Sequence, residues 1–267
     1  MSSSPTPPAV VLVHGMRTSS AIWAPQLRYL HDAGHDAVAV DLPAHGARHE
    51  DRFTLPAAFD VVDDAVRSFG PGRPVALVGL SLGGYTSLAY AAREASRAGT
   101  SSSRLVGVVA AACCSDPRGK PVALFRDVAH ATVGGLGAAR RGTRAALARL
   151  RAGALGGRSR APGTDVPAIA GDTTAPETFR PGWQVVTDAL TQLAGRSSVA
   201  DLRAARVPVW LVNGARDRLR LEEQRHLAAA ADGTLVVVPG AGHDVNSHAP
   251  EAFNRVLSQA LRDFGRG

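Results

Sequence analysis

Cysteine and lysine are scarce in this chain of 267 residues, and no long apolar run occurs in it. The two cysteines, Cys113 and Cys114, are sequence neighbours, and a disulfide between neighbours is strained, so we expect buried free thiols. Free thiols favour a reducing, cytoplasmic setting. No stretch approaches the roughly 20 apolar residues of a membrane helix. The first apolar run, Ala9–Val13, is too short for a signal-peptide core, so we expect neither membrane insertion nor export.

Positive charge is concentrated in one segment. The formal net charge is +7, and Lys120 is the only lysine. Residues 128–164 contain no acidic residue but many arginines, and Arg140, Arg141 and Arg144 fall within about one helical turn. This segment is interpreted either as a solvated surface or as a patch that attracts an anionic substrate or an acidic acyl carrier. No nucleic-acid-binding module is recognisable, so we expect no nucleic-acid partner.

Short apolar runs alternate with amphipathic stretches along most of the chain. This alternation predicts a mostly parallel sheet with helices on both faces. The predicted strands are Ala9–Val13, Ala37–Val40, Pro74–Val78, Leu105–Ala111, Val207–Val212 and Thr234–Val238. The predicted helices are Ala21–Ala33, one capped by Thr54, Leu82–Ala98, Trp183–Leu193, Leu221–Ala230 and Ala249–Phe264.

The alternation stops between residues 115 and 180, in a segment rich in Gly, Ala, Arg and Pro. This segment is too long for a connecting loop. We therefore predict an α/β core in two parts, residues 1–114 and 181–267, with residues 115–180 inserted as a cap.

The motif Gly79-Leu80-Ser81-Leu82-Gly83 follows a predicted strand and opens a predicted helix. In this context a serine lies on a sharp, strained turn that exposes its hydroxyl above the sheet edge. Glycines suit the two flanking positions because the turn brings backbone segments very close together. Ser81 is therefore the candidate nucleophile.

His14-Gly15-Met16, directly after the first strand, resembles the α/β-hydrolase family. The resemblance extends over five motifs and about residues 9–118 and 181–264. It implies that the backbone N–H groups of Met16 and Leu82 form an oxyanion hole. The His14 side chain is expected to be buried and hydrogen-bonded, and the Asp41-to-Gly46 turn to be structural.

The same resemblance implies the rest of a catalytic triad. The family places its acid on the turn that here reads Asn213-Gly214-Ala215-Arg216-Asp217, so Asp217 is the candidate. Asp116, which also follows a strand, is the alternative acid. His243, on the glycine-rich loop after the last strand, is the candidate general base. Ser81, Asp217 and His243 follow the family's order along the chain.

Some features depart from the family or stay open. Only a short segment precedes the first strand, where the family often has two more, so we expect about six strands. Leu80 stands where many esterases and thioesterases have histidine, which leaves the subclass open. Trp23 matches an aromatic position that the family often has near the pocket, and Trp183 opens the helix that returns from the cap. Both are candidate substrate-binding residues, and both could instead be core residues.

The predicted activity is hydrolysis of an ester, lactone or thioester of a small organic substrate through an acyl-enzyme. The alternatives are a lyase or cyclase step on the same fold, a thioesterase acting on a carrier-bound acyl chain, and a binding protein with a decayed site. No Cys/His cluster has metal-ligand spacing and no phosphate-binding P-loop is present, so no metal or cofactor is expected. The sequence does not name the substrate.

Overall fold

The computed structural model describes residues 7–97, 103–118 and 182–266. Within these ranges one six-stranded sheet forms, with the strands in the order β2-β1-β3-β4-β5-β6 and every neighbouring pair parallel. The strands are β1 (Ala9–Val13), β2 (Ala37–Val40), β3 (Val75–Leu80), β4 (Leu105–Ala111), β5 (Val209–Gly214) and β6 (Gly233–Val238). The predicted parallel sheet of about six strands is confirmed.

Helices pack on both faces of this sheet. They are α1 (Ala24–Asp32), α2 (Leu55–Ser68), α3 (Leu82–Arg97), α4 (Trp183–Ala194), α5 (Ser198–Ala204), α6 (Glu223–Leu227), α7 (Val245–His248) and α8 (Pro250–Phe264). One apolar cluster joins the sheet to α1 and α8, through residues such as Leu30 and Leu257. The other joins it to α2, α3, α4 and α5, through residues such as Val62, Leu88 and Leu202.

The alternating direction of side chains along a strand explains why every residue of β1 is apolar. Ala9, Val11 and Val13 belong to one apolar cluster, whereas Val10 and Leu12 belong to the other. All five residues are fully buried. A strand covered by helices on both sides needs apolar side chains at every position.

Local signals set the ends of two helices. The Thr54 hydroxyl accepts a hydrogen bond from the backbone N–H of Ala57 at 3.2 Å, which caps α2 at the residue predicted from the sequence. Gly34, just after α1, has a φ of +80°, a left-handed conformation that glycine adopts without strain. These residues help to fix where the chain turns back towards the sheet.

Four details of the secondary structure differ from the prediction. The helix α5 was not predicted, and α6 is shorter than the predicted Leu221–Ala230. The short helix α7, which ends at His248, was not predicted either. The strands β3 and β5 each run two residues further into their motifs than predicted.

Most of the predicted cap, residues 119–180, lies outside the described ranges, so the cap stays a prediction. The described helices include none with the length and apolar character that a membrane span requires.

Candidate active site

Ser81 stands alone in the turn between β3 and α3, with a φ of +53°. This left-handed conformation is unfavourable for a residue with a side chain, by roughly 1–2 kcal/mol. Backbone hydrogen bonds hold it: the Ser81 N–H donates to the Ala111 carbonyl at 2.8 Å, and the Tyr85 N–H donates to the Ser81 carbonyl at 3.0 Å. Ser81 is half-buried.

Close backbone approaches explain the glycines around Ser81. A Cβ atom on Gly79 would lie 2.2 Å from the Gly83 carbonyl oxygen, and one on Gly83 would lie 2.1 Å from the Val13 carbonyl oxygen. Neither position has room for a side chain. A Cβ on Gly15 would lie 3.5 Å from the Ser81 Cβ, so the His14-to-Met16 loop lies directly against the serine.

The Asp217 carboxylate contacts the imidazole of His243. Its two oxygens lie 3.1 and 3.0 Å from His243 Nδ1. The side chain of Asp217 is 1% exposed and that of His243 is 11% exposed, so solvent screens the pair little. A proton on Nδ1 that is donated to the carboxylate leaves Nε2 unprotonated, and an unprotonated Nε2 can act as a general base.

Two further contacts hold the turn that carries Asp217 (the acid turn, residues 213–219) and the loop that carries His243 (the histidine loop, residues 240–243) in place. The Leu219 N–H donates to Asp217 Oδ1 at 2.9 Å. A Cβ on Gly214 would lie 2.2 Å from the Gly242 carbonyl oxygen, which means that the acid turn and the histidine loop touch through their backbones. Leu219 was not foreseen, although an aspartate that accepts from the N–H two residues later is a common turn signal.

The structure sets all three candidate triad residues at one edge of the sheet. They follow β3, β5 and β6, and the carboxyl ends of parallel strands share an edge. Asp217 and His243 are in hydrogen-bond contact, whereas no hydrogen bond joins Ser81 to His243 among the described residues. Catalytic hydrogen bonds of this kind are often long before substrate binds.

The two candidate oxyanion donors belong to residues close to Ser81 in the fold. Leu82 is the first residue of α3, where backbone N–H groups have no partner within the helix and the helix dipole is positive. Met16 follows Gly15, which touches Ser81. In the described ranges neither amide donates to another backbone carbonyl outside the regular elements. The role of both amides as oxyanion donors stays a prediction.

His14 is fully buried beneath this loop, as expected from the sequence. Its Nε2 accepts from the Leu42 N–H at 3.0 Å, and its Nδ1 lies 2.7 Å from the Gly15 carbonyl oxygen. Burial, with a contribution from nearby His45, lowers the pKa of His14 to about 3. The ring is therefore neutral at ordinary pH, with the proton on Nδ1.

The alternative acid, Asp116, lies against the start of α5. Its Oδ2 accepts from the Ser197 hydroxyl at 2.7 Å, and its Oδ1 accepts from the Ser198 N–H at 3.2 Å. The guanidinium of Arg225 lies 3.7 Å away. These contacts anchor a helix end, and the acid that contacts His243 is Asp217.

The two tryptophan candidates differ in what the structure describes. Trp23 is fully buried, and its ring centroid lies 5.9 Å from that of Phe253 in the core. The structure thus gives Trp23 a packing position with no surface open to a substrate. The side chain of Trp183 and the residues Arg140, Arg141 and Arg144 lie outside what is described, and their roles stay predictions.

Among the described residues, no group of three or more His, Cys, Asp or Glu side chains is arranged to hold a metal ion. Cys113 and Cys114 are both buried free thiols, as expected. Burial raises the pKa of the Cys113 thiol well above its usual range. Neither cysteine is therefore a ready nucleophile beside Ser81.

Comparison with protein families finds a family whose model matches most of this chain. Residues 10–256 match the family described as "Alpha/beta hydrolase family". A curated relative, the pimeloyl-(acyl-carrier protein) methyl ester esterase of Xylella fastidiosa (strain 9a5c), is 41% identical over 86 residues. That match covers 32% of this chain, and the chain spans only about a third of the relative's length, at 31%.

Solved structures share this fold, in matches that cover nearly the whole chain. A thermophilic esterase from Thermogutta terrifontis has a TM-score of 0.65 at 22% identity, covering 98% of this chain and 92% of its own. The enol-lactonase from Burkholderia xenovorans LB400 has a TM-score of 0.64 at 17% identity, covering 96% and 92%. E-2-(acetamidomethylene)succinate hydrolase has a TM-score of 0.64 at 21% identity, covering 96% and 91%. At these identities the likeness establishes the fold alone.

Proposed function

The chain belongs to the alpha/beta hydrolase family, and on that premise we propose that it is a serine hydrolase of small ester-like substrates. The observation that carries the proposal is the Asp217 carboxylate on His243 Nδ1, at the sheet edge where Ser81 occupies a strained turn. A carboxylate there fixes the imidazole tautomer and stabilises the imidazolium that forms during catalysis. Hydrolases, an esterase and a lactonase share this fold.

The mechanism follows from the roles of these groups. As Ser81 Oγ attacks the substrate carbonyl, His243 Nε2 takes the hydroxyl proton. The oxyanion of the tetrahedral intermediate binds the N–H groups of Met16 and Leu82. His243 then returns the proton to the leaving alcohol or thiol, and an acyl-enzyme remains.

Deacylation repeats these steps with water. His243 takes a proton from a water molecule while the water oxygen attacks the acyl carbonyl. The same proton goes to Ser81 Oγ when the acyl–serine bond breaks. The products are a carboxylic acid and the original serine. Asp217 keeps its charge throughout and steadies the imidazolium in both halves of the cycle.

A fluorophosphonate probe tests the assignment of the nucleophile. The native protein should be labelled once, at Ser81. The Ser81→Ala variant should not be labelled, and its kcat on a nitrophenyl ester should be lower by at least about 10³-fold. Ser96→Ala is the matched control, because Ser96 is an exposed serine near the other end of the same helix. Labelling that persists in Ser81→Ala would overturn the proposal.

A second candidate function is hydrolysis of an ester or thioester carried by an acyl carrier protein. The local similarity to an esterase of a carrier-bound methyl ester favours it. The arginine-rich segment, residues 128–164, offers positive charge that an acidic carrier would attract. The small-ester proposal needs no such partner, so the two candidates predict different dependence on salt.

The test compares kcat/KM for a carrier-linked ester and a free ester at low and high ionic strength. The carrier hypothesis expects a salt-sensitive rate with the carrier substrate alone, and loss of that sensitivity when Arg140, Arg141 and Arg144 become Gln. A control variant changes the exposed Arg28, Arg255 and Arg262 to Gln, which removes the same charge from α1 and α8. If both variants behave as the native protein does, the arginines form a solvated surface.

We also propose a cytoplasmic location. Two free, buried thiols suit a reducing compartment.

A further inference from the structure

Two buried histidines join the loop after β1, residues 14–18, to the turn after β2. Each histidine accepts a hydrogen bond from a backbone N–H of the other segment. The Leu42 N–H donates to Nε2 of His14, at 3.0 Å. The Arg17 N–H donates to Nε2 of His45, at 3.1 Å. Both rings are fully buried and their centroids lie 4.9 Å apart. The two segments therefore hold each other through a reciprocal pair of hydrogen bonds.

The hydrogen bonds of the second ring nitrogens define the protonation of this pair. His14 Nδ1 lies 2.7 Å from the Gly15 carbonyl oxygen, and His45 Nδ1 lies 2.9 Å from the Pro43 carbonyl oxygen. A carbonyl can only accept, so each Nδ1 carries the proton and each Nε2 is the acceptor. Burial lowers the pKa of His45, as it does for His14, which keeps both rings neutral.

The peptide between Gly15 and Met16 is held from its carbonyl side. The Thr18 hydroxyl donates to the Gly15 carbonyl oxygen at 2.8 Å, in addition to the bond from His14. In a planar trans peptide the C=O and N–H point in opposite directions, so a fixed carbonyl also fixes the direction of the Met16 N–H. Two donors on the carbonyl also polarise the peptide and make its N–H a stronger donor.

The next peptide along is held as well, and the backbone there is strained. Arg17 has a φ of +58°, and Ala44 in the facing turn has a φ of +66°. Residues with side chains keep such conformations only where the surroundings fix them. The bond from the Arg17 N–H to His45 supplies that restraint directly after Met16.

From this geometry we propose that Thr18 and His45 are positioning residues, which aim the Met16 N–H at the oxyanion beside Ser81. The inference rests on the proposed serine-hydrolase function, since it concerns the transition state of that reaction. Neither residue touches the reacting atoms. Each acts through one backbone peptide: Thr18 through Gly15–Met16, and His45 through Met16–Arg17.

The test uses Thr18→Val, which removes the hydroxyl at almost constant shape, with Thr18→Ser as the conservative rescue. A misdirected oxyanion donor should lower kcat on a nitrophenyl ester by about 10-fold, less than the 10²–10³-fold seen when a donor is deleted, with KM within about twofold. Affinity for an alkyl trifluoromethyl ketone, which forms an oxyanion with Ser81, should fall with kcat/KM. Thr18→Ser should restore both.

His45→Leu and His45→Gln form the second pair, because a buried histidine also contributes to stability. Gln offers a side-chain oxygen in place of Nε2, whereas Leu offers no acceptor for the Arg17 N–H. We expect Leu to lose kcat and ketone affinity and Gln to retain most of both. Thermal unfolding and the amide shift of Met16 separate a displaced loop from a protein that has unfolded.

The outcomes distinguish this inference from the function on which it rests. If the native protein reacts with the probe at Ser81 but Thr18→Val and folded His45→Leu keep native kcat, ketone affinity and Met16 amide shift, the positioning roles are wrong. If the native protein leaves the probe unreacted, the proposed function fails and the inference fails with it. A fall in kcat that Thr18→Ser does not rescue would also count against the role of the hydroxyl.

Discussion

Asp217 presents both carboxylate oxygens to one nitrogen of His243, at 3.0 and 3.1 Å. The shared Nδ1 proton and the Leu219 N–H on the same carboxylate fix the rotation of both side chains. Asp116, the alternative acid, follows β4 and is bonded instead to Ser197 and Ser198. Two aspartates at one sheet edge thus have separate roles, one at the histidine and one at a helix end.

This separation predicts different effects of the same substitution. Asp217→Asn should lower kcat by roughly 10²–10⁴-fold with little change in stability, because the imidazole loses its tautomer and its counter-charge. Asp116→Asn should leave kcat within a few-fold and lower the unfolding free energy by about 1–3 kcal/mol, since buried hydrogen bonds are lost. Ester turnover and urea unfolding of both variants check this. Equal rate losses would show that the acid assignment is wrong.

The glycines around Ser81 should not accept even one methyl group. Gly79→Ala and Gly83→Ala place a Cβ 2.2 and 2.1 Å from carbonyl oxygens, so the turn must shift or the fold must open. We expect a loss of several kcal/mol or of soluble protein, with probe labelling lost in any folded fraction. Gly195→Ala is the control, since nothing lies within 4 Å of its Cβ and its φ is −83°. Native-like labelling of Gly79→Ala would contradict the geometry.

Substitution of Trp23 should affect stability, whereas substitution of Trp183 should affect substrate binding. Trp23→Ala removes a fully buried side chain from the core and should destabilise the protein by about 3–5 kcal/mol. Trp183→Ala should leave a folded, probe-reactive protein with a raised KM, if Trp183 lines the pocket. Thermal unfolding and Michaelis curves for both variants provide the measurement. A Trp183→Ala protein that unfolds would assign this residue to packing as well.

His14 should make stability depend on pH. Its pKa is about 3 in the folded protein and 6.5 in a free histidine, so below pH 6.5 the unfolded chain binds the extra proton. Stability is therefore full above about pH 6.5 and falls towards pH 3, by up to about 5 kcal/mol for this one group. His14→Gln keeps an acceptor but does not titrate, and should flatten the dependence. Urea unfolding between pH 4 and 8 compares the slopes, and parallel slopes would exclude this role.

The sequence predicted the sheet well where burial alone defines a strand. Ala9–Val13 and Leu105–Ala111 match the structure at both ends. Pro8 and His14 bound the first of these apolar runs, and Arg104 precedes the second. The ends of β3 and β5 were less predictable. Gly79 pairs with Val13 and Ala110, and Gly214 pairs with Val238, so neighbouring strands extend these two through glycines that read as turns.

The site shows the same division between local signals and tertiary contacts. Motif order singled out Asp217 and His243, and the structure brings them together. The structural role of Asp116 could not be predicted from its neighbours in the sequence, because its hydrogen-bond partners begin a helix about 80 positions later in the chain. A signal for that helix was present: Ser197 accepts from the Ala200 N–H, as an N-terminal capping serine does.

The bonds from Asp116 to Ser197 and Ser198 bear on how this enzyme could be re-engineered. They tie the chain at the end of β4 to the chain at the start of α5, on either side of the long segment between them. A chimera that exchanges this segment for that of another family member therefore needs its junctions between Arg118 and Gly182, inside both anchor points. A junction before Asp116 or after Ser198 would replace the carboxylate or the groups that donate hydrogen bonds to it. The family member that supplies the segment would then have to supply a matching partner.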